Sequence, residues 1–119
     1  MTPDDLTRER LLDLVDHCDE AAQIVAAGRG AFRDSVIHRR AAEAVINRIG
    51  TTVVNGLPDD LLARHPDMPW AEVKGMRNRV VHEYRAMDWS LVWTTLERDL
   101  PALSSYVRDH MLEGPDDDN

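Results

Sequence analysis

The chain has 119 residues, 43% hydrophobic and 30% charged, with a formal net charge of −8 and one cysteine. That length fits a single domain able to bury a core without disulfide or metal staples. The acidity argues against tight non-specific nucleic-acid binding, no apolar run approaches the ~20 residues of a membrane span, and Cys18 has no partner for an internal bridge.

A lone cysteine, and a first stretch "MTPDDLTRER" too charged for a secretory leader, point to a reducing cytoplasm. The charge is uneven. Residues 1–20 carry seven acids against two arginines and the closing "GPDDDN" adds three aspartates, so the two ends account for the whole excess. Between Lys74 and Arg85 the balance reverses, with Lys74, Arg77, Arg79 and Arg85 against Glu83. Such a patch could hold a few phosphates.

Thr2 suits an N-cap, with Pro3, Asp4 and Asp5 in a first helical turn. Leu11, Val15, Cys18, Ala22 and Val25 then form a helical stripe, ended by Gly28 and Gly30. A second helix is expected from Asp34 to about Asn55, with Ala42, Ile46, Ile49 and Val53 inward, widened by Ile37, Ala41 and Val45. Asn55-Gly56 stops it and Leu57-Pro58 turns the chain. A short helix fits Asp59 to Arg64, and the two prolines of "HPDMPW" break it. Pro69 opens a helix through Glu72, Val73, Met76, Val80 and Val81. Asp88 caps the last, with Trp93, Leu96, Leu100, Leu103 and Val107 on its apolar face. Pro101 lies inside that stripe and predicts a kink or restart. No strand alternation appears. The expected fold is all-α: an antiparallel bundle of four to five helices, one domain over 1–113, and an acidic, disordered tail over 114–119.

The stretch "MRNRVVHEY" (Met76 to Tyr84) concentrates the chemistry. Histidine, with a reference pKa of about 6.5, gives and takes protons near neutrality. Arginine presents a charged fork that matches phosphate oxygens. RNA carries its own nucleophile, the 2′-hydroxyl, so a histidine acid or base and an arginine on the phosphate could cleave it with neither metal nor protein nucleophile. On a helical wheel Asn78 and Arg79 neighbour His82, and Arg77 and Tyr84 share a face, but Arg77 and His82 stand about 140° apart. A site using both needs a wrapped side chain, a distorted helix end or a second subunit, and the second subunit makes a dimer-interface site attractive. On residue chemistry alone, a histidine near valines is more often a packed residue than a catalyst.

"PWAEVKGMRNRVVHEY" (Pro69 to Tyr84), followed by "WSLVWTTLERDLPAL" (Trp89 to Leu103), resembles the HepT-like branch of the HEPN superfamily, and "AFRDSVIHRRAAEAVINRIG" resembles that family's second helix. The signature of arginine, four residues, histidine, one residue, tyrosine falls on Arg77, His82 and Tyr84. The resemblance implies a toxin that is a metal-independent endoribonuclease without cofactor, working as a homodimer with both motifs in one interfacial cleft. It makes Arg77 and His82 catalytic and Asn78 supporting. It also implies a minimal nucleotidyltransferase antitoxin as partner, which would transfer AMP to Tyr84. One departure stands out: Thr51 follows Ile49-Gly50 where many relatives carry glutamate. A second reading remains, a non-catalytic helical module that binds nucleotides or regulates a nucleotidyltransferase.

Other residues have plainer roles. Glu43 could line a cleft, though helix-face acids are mostly solvated. His17, His38, His65 and His110 lack ligand-like spacing, so no metal site is expected. Trp70, Trp89 and Trp93 could stack on bases, but indoles at apolar helical positions are more often core. Gly28-Arg29-Gly30 lacks the context and lysine of a phosphate loop.

Overall fold

The computed structural model of the protein describes residues 2–112. The expected tail, 114–119, and the last residue of the expected domain, Glu113, lie outside them. The described residues hold helices and no strand. The long elements are α1 (Pro3–Ala26), α3 (Val36–Thr51), which runs on as a π-turn at Thr52–Gly56, and α5 (Trp70–His82). A fourth rod spans 89–112, built from α6 (Trp89–Thr94), a π-turn at Thr95–Asp99, α7 (Leu100–Tyr106) and a π-turn at Val107–Leu112. Two short helices, α2 (Arg29–Asp34) and α4 (Asp59–Ala63), sit in the connections. The all-α bundle expectation is met: the described residues form four long rods and two short helices.

Directions follow from single contacts. Arg10 of α1 donates to the Gly56 carbonyl at 2.8 Å, beyond the far end of α3. Arg8 donates to the Leu112 carbonyl at 3.1 Å, and Asp19 pairs with Arg108 at 3.1 Å. The 89–112 rod therefore also runs antiparallel to α1. Leu14, Ile49, Val53, Val80, Val92, Leu96 and Val107 are the fully buried centre where these rods meet.

Both predicted caps are present. Thr2 accepts from the Asp5 amide while the Asp5 carboxylate accepts from the Thr2 amide, a reciprocal capping box. Asp88 accepts from the amides of Ser90 and Leu91. Pro101 distorts its rod without stopping it. A proline offers no amide and crowds the carbonyl four residues back. The helix meets this with the π-turn just before it, where the Leu100 amide bonds to the Thr95 carbonyl.

Several expectations need correction. The chain does not run loose from Gly28 to Asp34. Gly28 takes φ 98°, the left-handed region open to glycine, and α2 starts at once. Ser35, not Asp34, then caps α3 through the His38 amide. On α1 the buried stripe is Leu11, Leu14, Val15, Cys18, Ala21 and Ile24, so Ala22 faces solvent. On α3, Ala41 is exposed and Ile37 is 75% exposed, because among the described residues no helix covers that flank. Val81 is also exposed, on the face that carries the motif.

The α4–α5 connection is pinned by two bonds. The Trp70 indole donates to the His65 carbonyl at 2.9 Å, and His65 Nδ1 shares a 2.9 Å hydrogen bond with the Tyr106 hydroxyl of α7. Burial, aided by Arg64 and His110 and opposed by Asp67, pushes the His65 imidazole below its ordinary value of 6.5. The fold thus favours the neutral ring. Its contribution is whole above 6.5 and is lost as pH falls from there toward the lowered value, where the unfolded chain binds the proton better. Acidification from about pH 7.5 to about 5.5 should therefore lower the melting temperature of the wild type more than that of His65→Asn. Equal drops would remove His65 as the cause.

Candidate active site

Helices α3 and α5 lie against each other over one small residue. At Gly50 a Cβ would overlap Cβ and Cγ of Arg77, the latter at 2.5 Å. The aliphatic stem of Arg77 thus occupies the space that any side chain at Gly50 would fill. Its guanidinium is fixed at both sides: Nε donates to Asn47 Oδ1 at 3.1 Å and Nη1 to Asn78 Oδ1 at 3.2 Å. Among the described residues Nη2 makes no bond, so this edge of the fork is available to an anion. Asn78 therefore lies beside Arg77 and accepts from its guanidinium.

His82 is the last residue of α5, is exposed, and its ring makes no hydrogen bond among the described residues. The structure does not bring it onto Arg77 within the chain. Arg77 is held toward α3, and the wheel separation of about 140° is kept along a helix that stays regular to its end. Beyond His82 the chain leaves the α-helix. Glu83 caps it, and Tyr84 opens a single 3-10 turn, Tyr84–Ala86.

Tyr84 has different neighbours from those the helical wheel gives. Its ring packs edge-on against Trp89 at 5.2 Å, and the Arg40 guanidinium of α3 lies over its face at 3.8 Å. The cation over this phenol is Arg40, and because the α-helix ends before Tyr84 the expected helix face shared with Arg77 does not reach it. Trp89 in turn packs on Phe32 and has Arg39 over it at 5.9 Å, while Trp70 and Trp93 are buried.

Sequence reading missed Asn47, Gly50 and Arg40. All three lie on α3 and act through partners at least 27 residues away. For Asn47 and Gly50 a signal existed: a polar residue and a glycine inside "INRIG", among buried isoleucines, mark a helix face approached closely. Arg40 looks like any helix-surface arginine. Thr51, the departure from the family pattern, is the half-buried last residue of α3 next to Gly50.

An apolar pocket of about 250 Å³ opens on another side of α5, between Ile46, Met68, Met76 and Leu103, with Arg79 at its wall. None of Arg77, Asn78, His82 or Tyr84 lines it. Asn78 and His82 are exposed, and Arg77 and Tyr84 are half-buried. Among the described residues no group of three or more His, Cys, Asp or Glu side chains is arranged to hold a metal ion, and no helix is long and apolar enough to cross a membrane.

A family model described as ribonuclease HepT-like matches residues 14–109. The chain belongs to the HepT-like ribonuclease family. Ribonuclease is accordingly its enzyme class. The HepT-like chain is 32% identical over 82 residues to a candidate RNase of Caldanaerobacter subterraneus, covering 66% of this chain and 72% of that one. It is 33% identical over 75 residues to a probable ribonuclease HepT of Thermococcus cleftensis, covering 60% and 67%. Over 116 residues it is 23% identical to a candidate RNase of Methanocaldococcus jannaschii, covering 92% of each chain. No solved structure matches significantly.

Proposed function

We propose that the protein is the toxin of a toxin–antitoxin pair, a metal-independent endoribonuclease that cuts RNA through its 2′-hydroxyl. The observation that carries this is the arginine clamp. Arg77 is bonded at Nε and Nη1 and, among the described residues, keeps its Nη2 edge unbonded, with His82 about one and a half turns on. His82 acts on protons. As base it removes the 2′-hydroxyl proton; the oxygen attacks the adjacent phosphorus; the bond to the 5′-oxygen breaks and that oxygen takes up a proton from solvent, leaving a cyclic phosphate and a 5′-hydroxyl. Arg77 neutralises the non-bridging oxygens as charge builds on them. A 2′-deoxy residue at the cut position should block the reaction, and chelator should not. Cleavage of the 2′-deoxy strand at that position would overturn the mechanism.

The active unit is a homodimer in this reading. Arg77 and His82 diverge on one helix, and Val81 beside His82 is an exposed apolar residue. An isologous contact across that face would set one protomer's His82 near its partner's arginine clamp.

The antitoxin is a minimal nucleotidyltransferase, and its target is Tyr84. The phenol oxygen attacks the α-phosphorus of ATP, pyrophosphate leaves, and the phenol proton passes to a base on the transferase. The new phosphate would lie by Arg40, whose guanidinium already covers the ring. Mass spectrometry after co-expression should find AMP on the Tyr84 peptide together with lost cleavage. Full neutralisation of Tyr84→Phe would assign inhibition to binding alone.

A further inference from the structure

Arg40 belongs to no motif, yet it is held in line with the arginine clamp. Helices α3 and α5 are antiparallel, and two contacts form rungs along one face of α3: Asn47 meets Arg77 of α5, and Arg40, seven residues away on α3, meets Tyr84 in the 3-10 turn beyond α5. Seven residues of helix rise about 10 Å. Arg40 and Arg77 are thus two cations on one exposed seam, separated by two helical turns.

The Arg40 side chain is 58% exposed, and among the described residues its ion pair is a long contact of 3.4 Å with Glu43. A freely solvated arginine would have no fixed direction. This one rests on the Tyr84 ring, which the edge of Trp89 holds in turn. Contact through the face of a guanidinium leaves its N–H edge for other partners. A cation fixed in this way loses less entropy when it meets an anion.

We propose that Arg40 is a second phosphate-binding residue of the same site, taking the RNA backbone beyond the nucleotide that is cut. This rests on the reading of Arg77 and His82 as the cleavage site. A single-stranded RNA is the ligand that matches two cations along a line with aromatic rings beside one of them. Glu43, between the two rungs, releases Arg40 when a phosphate takes its place. The local seam matters more than the overall charge of −8, which lies at the chain ends.

The test uses two substrates: a dinucleotide, which carries only the scissile phosphate, and a single-stranded oligoribonucleotide with the same cut site. Arg40→Ala should raise KM for the oligonucleotide about tenfold and leave dinucleotide cleavage unchanged. In a His82→Ala background, where the oligonucleotide stays intact, Arg40→Ala should lower the salt dependence of binding by about 0.7, one phosphate contact on a single strand. Arg40→Lys should keep most of that slope. Equal KM and slope in wild type and Arg40→Ala would overturn the proposal while leaving the cleavage site standing. An equal loss on both substrates would assign Arg40 to the fold and also overturn it. If the wild type cleaves neither substrate, the reading of Arg77 and His82 fails instead.

Discussion

Replacing His82 with alanine is expected to lower RNA cleavage by about 10²–10⁴-fold, the usual contribution of a positioned acid or base, with little change in stability. The ring is exposed and bonds to nothing among the described residues, and surface substitutions of that kind stay within about 0.5 kcal/mol. Arg77→Ala should cost as much activity by a different route, through the loss of phosphate neutralisation. Arg77→Lys should not rescue it. Lysine has no Nε–H for Asn47 and no fork to share between Asn78 and a phosphate. The measurement is single-turnover cleavage beside a thermal melt of each variant. Wild-type cleavage by His82→Ala would sink the catalytic assignment, and so would recovery of activity in Arg77→Lys.

Where a sequence signal was local, the sequence told the structure well. Thr2 and Asp88 cap their helices because a side-chain oxygen reaches an amide two or three residues on, which a short window of sequence contains. Pro101 perturbs its own rod for an equally local reason. The motif's residue types and spacing were visible too, including the divergence of Arg77 from His82. What could not be read is what joins one helix to another. The stripe on α1 was misplaced by one position at Ala22, because which flank a helix buries depends on where its neighbours pack. The start of α3 shifted because Gly28 uses a backbone conformation that its letter permits without requiring. Asn47 and Gly50 acquire their roles from α5, and Arg40 from the 3-10 turn that follows it. Periodicity shows only that they lie along one helix.

Gly50→Ala is expected to damage the site more than any other single methyl group. The added Cβ would meet Arg77 at its Cβ and Cγ, the root of the side chain. A clash with a flexible tip is relieved by rotation, but one with the root moves only with the backbone. Helices α3 and α5 must separate, and overpacking of this kind costs about 1–3 kcal/mol, against up to about 1 kcal/mol that alanine gains over glycine in a helix. A modest fall in melting temperature follows. The larger effect is on chemistry, since the shift carries Arg77 away from Asn47 and a misplacement near 1 Å can cost about 10²-fold. Gly75, two residues before Arg77 on α5, supplies the control: a Cβ there would meet only the tip of Arg79, at 3.7 Å. Gly75→Ala should therefore raise stability by about 0.5–1 kcal/mol and keep its activity. The two substitutions add the same atom to helical glycines of one helix pair, so propensity alone predicts the same sign for both. Opposite signs require the Arg77 stem to be packed on Gly50, and equal stability and activity in the two variants would mean that the clamp is not built on that glycine.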